Sequence, residues 1–159
     1  MATTTATVSI SSADLTPGMA LNINASSALM KTGTTTGLEI MDIGRGELKV
    51  TDGPNALHDV TATSGDYGQA SYVYICNNST DDQQYIKVGI HNTVIGNLGA
   101  GDWCFFPWSQ GDVSAELNIE AEATGTIPYE YAIFKSEYEL AAKSLSLIHI
   151  SEPTRQAEI

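Results

Sequence analysis

Alternation of apolar and polar residues with a period of two is the feature of this sequence that most restricts the fold. It is clearest over residues 112–123, where apolar and polar residues take turns: Val113, Ala115, Leu117, Ile119 and Ala121 against Ser114, Glu116, Asn118, Glu120 and Glu122. A strand directs all the apolar side chains to one side, whereas a helix would scatter them round its circumference. No segment carries a sustained apolar period of 3.6 residues. The chain is therefore expected to be all-β.

Turn signals divide the rest of the sequence into short segments of the same kind. Turns rich in Gly, Pro and Asp lie at residues 14–18, 52–55 and 98–102. We also expect Gly44-Arg45-Gly46 to end a strand. Segments rich in β-branched and aromatic residues, as strands prefer, cover residues 3–12, 19–24, 38–43, 47–51, 71–77, 84–90, 103–108 and 126–134. About eight or nine short strands predict a single antiparallel β-sandwich, jelly-roll or immunoglobulin-like, over residues 1–144.

The last fifteen residues, Leu145 to Ile159, are unrelated to the rest of the sequence. They read LSLIHISEPTRQAEI and resemble the in-frame translation of a transposase-type sequencing-library adapter, with a residue-for-residue match from Leu145 to Arg155. We interpret residues 145–159 as an artefactual adapter-derived tail and exclude them from the fold. On this interpretation the gene was read from an assembled library, and the natural C-terminus after about Ser144 is unknown.

The charge balance restricts the partners that this chain can have. The 159 residues include 19 Asp and Glu against 7 Lys and Arg, a formal net charge of −12 at pH 7. Binding to phosphates needs clustered Lys and Arg, so we expect no nucleic-acid partner and no anionic lipid surface. No apolar run approaches the roughly 20 residues that span a membrane. The N-terminus also lacks the basic and apolar regions of a secretory signal, so we expect no membrane partner.

Residues suited to nucleophilic or metal chemistry are few. Before the tail, only His58 and His91 could serve as a base for a nucleophile. Cys76 and Cys104 lie in apolar segments typical of buried, inert thiols, and they have no metal-ligand spacing. We therefore predict no catalytic residue, no metal site and no cofactor, and we do not expect an enzyme.

The acidic side of the alternating segment leaves one enzymatic alternative open. Glu116, Glu120 and Glu122 would share one side of a strand and could line a cleft like that of a glycosidase. The simpler interpretation is a solvated outer face whose charges prevent edge-to-edge pairing.

A cluster of aromatic residues is the most distinctive local feature. It comprises residues 103–108 and the last predicted strand, and the candidate interface residues are Trp103, Phe105, Phe106, Trp108, Tyr129 and Tyr131. On a strand, Trp103 and Phe105 share one side while Cys104 and Phe106 share the other, so both sides are apolar. This pattern is compatible with a central core strand, with a subunit interface, where aromatic residues are enriched, or with a sugar-stacking platform.

The order of segments over residues 70–134 carries a family resemblance. An aromatic strand ends at Asn77-Asn78, a polar hairpin and a returning strand follow, and Leu98-Gly99-Ala100-Gly101-Asp102 leads into an aromatic run ending in Pro107. The alternating strand and a final Tyr-Glu-Tyr-Ala-Ile-Phe complete the order. It resembles the small β-sandwich virion proteins of tailed bacteriophages, although Asp102 stands where these proteins often have Glu.

This resemblance implies a non-enzymatic structural role in a virion, as a capsid decoration, neck or tail component. The implied partners are further copies of the chain, in a homo-oligomer, and other virion proteins. The alternative is a carbohydrate- or receptor-binding β-sandwich module that uses Trp103, Trp108 and Tyr129 to stack on a glycan. A third hypothesis is a hydrolase working through Glu116 and Glu120.

Overall fold

The computed structural model describes residues 3–16, 19–31, 35–57, 70–108, 116–122 and 125–135. Their strands are β1 (Thr4–Thr16), β2 (Met19–Leu29), β3 (Glu39–Lys49), β4 (Asn55–Ala56), β5 (Ala70–Asn77), β6 (Ile86–Ile90), β7 (Thr93–Leu98), β8 (Trp103–Pro107), β9 (Leu117–Ala121) and β10 (Thr126–Lys135). The one helical element in these ranges is a 3₁₀ turn at Val50–Asp52. The predicted all-β sandwich is confirmed, with ten strands described where eight or nine were expected.

The strands form two four-stranded antiparallel sheets and a separate two-stranded ribbon. The first sheet has the order β3-β10-β5-β8, and the second has the order β4-β9-β6-β7. The ribbon consists of β1 and β2, which pair only with each other among the described strands. The chain thus contains a sandwich and a long N-terminal hairpin that belongs to neither sheet.

The hydrophobic core lies between the two sheets. It takes alternate residues from each strand, so that Leu117, Ile119 and Ala121 of β9 face Val73 and Ile75 of β5 and their neighbours. Each large apolar side chain removed from water in this way contributes about 1.5–3 kcal/mol. The alternation predicted around β9 is confirmed for residues 117–121, while residues 112–115 lie outside the described residues.

The expectation that Gly44-Arg45-Gly46 ends a strand is wrong. These residues lie inside β3, directly opposite Tyr131 and Tyr129 of β10. A Cβ atom on Gly44 would lie 2.6 Å from Cε1 of Tyr131, and one on Gly46 would lie 2.8 Å from Cε1 of Tyr129. The two glycines therefore leave room for tyrosine rings across the strand, a pairing in which an aromatic ring covers a glycine.

A buried asparagine connects the loops at one end of the sandwich. The amide nitrogen of Asn77 donates hydrogen bonds to the carbonyl oxygens of Gln84 (3.1 Å) and Leu98 (3.0 Å), and its side-chain oxygen accepts one from the N–H of Ser79 (3.0 Å). The Asn77 side chain is fully buried. Buried polar groups are tolerated only when they are paired, so these three bonds hold the β5–β6 connection and the end of β7 together. The expectation of a hairpin after Asn77 is wrong, because β5 lies in the first sheet and β6 in the second, and residues 78–85 cross between them.

Two sequence interpretations fall outside the described residues. They are the placement of His58 and the adapter-like tail at residues 145–159. Within the described ranges, no helix is long and apolar enough to cross a membrane.

Candidate interaction surface

The outward side of the first sheet is largely apolar. Cross-strand pairs place their two residues on the same side of a sheet, so the pairs Tyr74–Phe105, Cys76–Trp103 and Phe134–Ile40 all lie on the side away from the core. We define the aromatic face as the ring-bearing part of this side: Tyr72, Tyr74, Trp103, Phe105 and Phe134. Its neighbours on the edge strand β3 are Ile40 and Ile43.

The rings of the aromatic face form a connected set. Tyr72 stacks on Phe105 with ring centroids 5.4 Å apart, and Phe105 meets Phe134 edge to face at 6.2 Å. Tyr74 lies 6.4 Å from Trp103 in a tilted arrangement. Such pairs add about 0.5–1.5 kcal/mol beyond the area they bury. The rings therefore hold one another in place and present a firm apolar surface.

Several large apolar side chains on this side remain in contact with solvent. Trp103 is 54% exposed, Ile40 is 57% exposed and Ile43 is 66% exposed. One exposed apolar residue is ordinary on a protein surface, whereas several on one sheet face mark a contact site. One charged pair borders the rings: Glu130, which shares a cross-strand row with Cys76 and Trp103 and hydrogen-bonds Tyr74, pairs with Arg45 at 3.1 Å.

The base of the ribbon lies over part of the aromatic face. A cavity of about 200 Å³ separates them, and it is lined by Thr4, Val8 and Leu29 of the ribbon and by Tyr74, Trp103 and Phe134 of the sheet, among others. Thr4, Ala6 and Leu29 are half-buried there. The ribbon thus begins on this face and extends away from it.

The structure divides the six predicted interface residues between the two sides of the first sheet. Trp103 and Phe105 belong to the aromatic face. Trp108 is 4% exposed and belongs to the core. The other three, Phe106, Tyr129 and Tyr131, are partly buried and pack against the core. Only two of the six therefore lie on the outward surface, and an interface role for each residue stays a prediction.

Tyr129 and Tyr131, which pack on the core side of the first sheet, form a small cluster. Their rings stack with centroids 6.3 Å apart, and the hydroxyl of Tyr131 donates to a carboxylate oxygen of Asp42 at 2.9 Å. Burial, together with this bond to an anion, raises the pKa of Tyr131 to about 12, and burial raises the pKa of Tyr129. These hydroxyls remain protonated at neutral pH, so the cluster has a structural character.

The cysteines lie on opposite sides of the first sheet. Cys76 faces outward beside Trp103, whereas Cys104 pairs with Ile75 and packs against the core. Burial raises the pKa of the Cys104 thiol to about 11, so at neutral pH it is a protonated and poor nucleophile. Both thiols are free, and their opposite orientation means that they do not act together.

The outward side of the second sheet is polar along β9 and β6, while Val94 of the edge strand β7 is 55% exposed. Asn118 and Glu120 of β9 project there beside Lys87 of β6, and Lys87 forms an ion pair with Glu122. A shallow groove of about 210 Å³ runs along this side past His91. Glu120 lies four positions after Glu116 along extended chain, a Cα–Cα span of about 13 Å. A hydrolase role for this pair stays a hypothesis.

Sequence reasoning found only two of the five rings of the aromatic face, Trp103 and Phe105. Tyr72, Tyr74 and Phe134 were not among the candidate interface residues, and neither were Ile40 and Ile43. Their membership follows from strand register, which joins β3, β10, β5 and β8 across long sequence separations, and no local pattern gives that order. Within the described ranges no group of three metal-ligating side chains occurs.

Comparison with known protein families, with curated proteins and with solved structures gave no match for this chain.

Proposed function

We propose that this chain is a non-enzymatic structural subunit of a tailed-bacteriophage virion, a capsid decoration, neck or tail component that acts by self-assembly. The observation that carries the proposal is the uncovered apolar surface on the first sheet, where Trp103, Ile40 and Ile43 are each more than half exposed beside packed rings. Apolar and aromatic residues grouped in this way are typical of the centre of a protein–protein interface. The virion assignment itself depends on the resemblance in segment order over residues 70–134.

The charge distribution supports association through this surface. The chain carries a net charge of −12, so two copies that approach through acidic sides repel each other. The aromatic face is bordered by the isoleucines of β3 and by one ion pair, in which Glu130, hydrogen-bonded to Tyr74, pairs with Arg45 at 3.1 Å. This carboxylate is paired with a cation, so copies can meet there with less repulsion than through unpaired acidic groups.

The test is the mass of the purified full-length chain in solution, followed by light scattering over a concentration series. We expect a discrete oligomer, and electron microscopy of the same samples should show rings, tubes or other ordered particles. A chain that stays monomeric at the highest concentration and forms no ordered particle would overturn the proposal.

A pair of matched variants locates the contact. Replacing Ile43 and Trp103 by Ser should raise the Kd of self-association about tenfold to a hundredfold, because a buried Trp is a frequent energetic centre of interfaces. The control replaces Val94 and Ile95 of the second sheet by Ser. These two residues are 55% and 50% exposed, and their replacement should leave the Kd unchanged. Equal effects of the two pairs would contradict assembly through the first sheet.

The glycan-binding alternative has less support from the arrangement of its three rings. Trp103 is exposed, but Trp108 is buried and Tyr129 packs against the core, so the three do not form one platform. A glycan array probed with the full-length chain tests this alternative.

A further inference from the structure

The ribbon has one apolar side and one polar side. Its strand register places Ile10 opposite Ile23 and Val8 opposite Ala25, while Ser9 pairs with Asn24 on the other side. We define the apolar side of the ribbon as Ala6, Val8, Ile10, Leu21, Ile23, Ala25 and Leu29. Val8, Ile10 and Ile23 are 40%, 48% and 44% exposed. An amphipathic ribbon is thus built, but its apolar side is covered only near the base.

We propose that the apolar side of the ribbon docks on the sandwich of a second copy of this chain, against the exposed isoleucines and tryptophan of the first sheet, in a reciprocal exchange. A lone two-stranded hairpin is marginally stable in water unless another element covers its apolar side. The inference rests on the proposed function in one respect, that copies of the chain associate.

Charge favours a second copy as the occupant. Residues 4–29 contain a single charged residue, Asp14, in a chain whose net charge is −12. A cationic partner would find almost no acidic group on the ribbon, and an anionic partner would find no Lys or Arg. A copy of the same acidic chain, however, can approach this neutral segment without repulsion.

The position of the ribbon's own base indicates which surface of a second copy would receive the ribbon. The base of the ribbon already lies over Tyr74, Trp103 and Phe134, so its apolar side is suited to the kind of surface that the first sheet presents. Ile40, Ile43 and Trp103 of that sheet remain exposed. The ribbon of a neighbouring copy would extend onto this remaining area.

The available area distinguishes an exchange from simple ribbon-to-ribbon contact. The six residues from Val8 to Ala13 span about 20 Å at about 3.3 Å per residue, and two paired strands are about 10 Å wide, so one side of this part offers about 200 Å². Two ribbons packed on each other would bury about 400 Å² in total, whereas a reciprocal exchange brings two ribbons against two sandwich surfaces and buries about 800 Å², twice as much.

The first experiment measures self-association of full-length variants. Val8, Ile10 and Ile23 are replaced together by Thr, which keeps the β-branch and hence the strand preference. We expect the Kd to rise about a hundredfold or more, because three buried apolar groups are replaced by hydroxyl-bearing ones. The matched control replaces Ser9, Ser11 and Asn24 on the polar side by Thr and should leave the Kd unchanged.

The second experiment identifies the receiving surface. A photoreactive benzoylphenylalanine is placed at Ile23 in ¹⁵N-labelled chains, which are mixed with unlabelled chains, so that mass spectrometry separates links between copies from links within one copy. We expect links from position 23 to β3 or β8 of the other copy and few from position 24. Links confined to one chain, or joining ribbon to ribbon, would overturn the inference.

The outcomes separate this inference from the proposed function. If the chain oligomerises and the ribbon variants assemble like the wild type, the docking inference fails and the assembly function stands. If neither the wild-type chain nor any variant associates, the assembly function fails and the inference fails with it.

Discussion

The sandwich and the ribbon carry the same alternation of apolar and polar residues, but they differ in what covers the apolar side. In β9, Leu117 and Ile119 are at most 1% exposed because the first sheet packs on them. In the ribbon, Ile10 and Ile23 alternate with polar residues in the same way and remain 48% and 44% exposed. A period of two therefore determines which side chains share a side, and tertiary packing determines whether that side is buried.

Because the core is covered within one chain and the ribbon is not, core residues should affect the free energy of unfolding, and ribbon residues should affect association between copies. The core between the sheets contributes to folding within one chain, at about 25 cal/mol for each Å² of apolar area buried. The apolar side of the ribbon has no such cover within the described residues beyond its base, so its free energy is gained when a partner arrives. Substitutions of similar size should therefore act on different equilibria in the two regions.

The largest expected effect is a core truncation compared with its ribbon counterpart. Ile133→Ala empties a fully buried position in β10 and should lower the free energy of unfolding by about 2–5 kcal/mol. Ile23→Ala should lower it by less than about 0.5 kcal/mol. Urea unfolding at a protein concentration where the chain is monomeric measures both, and equal losses would show that the ribbon is buried within its own chain.

Two asparagines, one buried in the sandwich and one exposed on the ribbon, allow the same comparison for polar groups. Asn77→Ala removes two donors and one acceptor from a buried site, and leaving carbonyl groups unpaired should destabilise the fold by about 2–4 kcal/mol. Asn24→Ala on the exposed polar side of the ribbon should change the free energy of unfolding by less than about 0.5 kcal/mol. Thermal unfolding followed by circular dichroism ranks the two variants, and similar melting temperatures would contradict the role assigned to Asn77.

Local patterns predicted elements of this fold better than their order in space. The turns at Asn78–Asp82 and Leu98–Asp102, the strand at Thr126–Lys135 and the polarity of the two ribbon sides could all be read from the sequence. The continuation of β3 through Gly44 and Gly46 could not be predicted from the sequence, because it depends on pairing with tyrosines more than 80 residues away. Three of the five rings of the aromatic face were missed for the same reason, since register brings them together from β5, β8 and β10.

A third prediction tests that long-range pairing. Gly44→Ala places a methyl group against the Tyr131 ring, and displacing the ring should cost about 1–3 kcal/mol of unfolding free energy. The control is Gly96→Ala in β7, where an added Cβ would meet no atom within 4 Å, and this variant should be as stable as the wild type or slightly more stable. Combining Gly44→Ala with Tyr131→Ala should abolish the extra cost of the glycine substitution, which denaturant unfolding would show as non-additivity.

The fourth prediction concerns alkaline pH, which affects the sandwich and not the ribbon. The pKa of Cys104 rises from 9.0 to about 11 in the fold because the thiol is buried. Between these values the unfolded chain has released the thiol proton while the folded chain retains it, so the contribution of this group is fully present below pH 9 and is lost as the pH rises towards 11. Cys104→Ala should reduce the fall in unfolding free energy over this range, and the fall that remains comes from Tyr74, Tyr129 and Tyr131, whose pKa values burial also raises. Residues 4–29 contain no Cys or Tyr, so Ile23→Thr should leave the shape of the profile unchanged.

The smallest effect is expected from removing residues 145–159, which lie outside the described residues. If residues 145–159 derive from a library adapter, no selection has fitted them to the sandwich, and ending the chain after Ser144 should shift the midpoint of thermal unfolding by less than about 2 °C, equivalent to less than about 0.5 kcal/mol. Ending the chain after Gly125 is the control, because it removes β10, which lies between β3 and β5 in the first sheet, and should abolish cooperative unfolding. Scanning calorimetry of the three chains decides the matter: a loss of about 5 °C or more on removing residues 145–159 would mean that the segment packs on the domain and belongs to the natural protein.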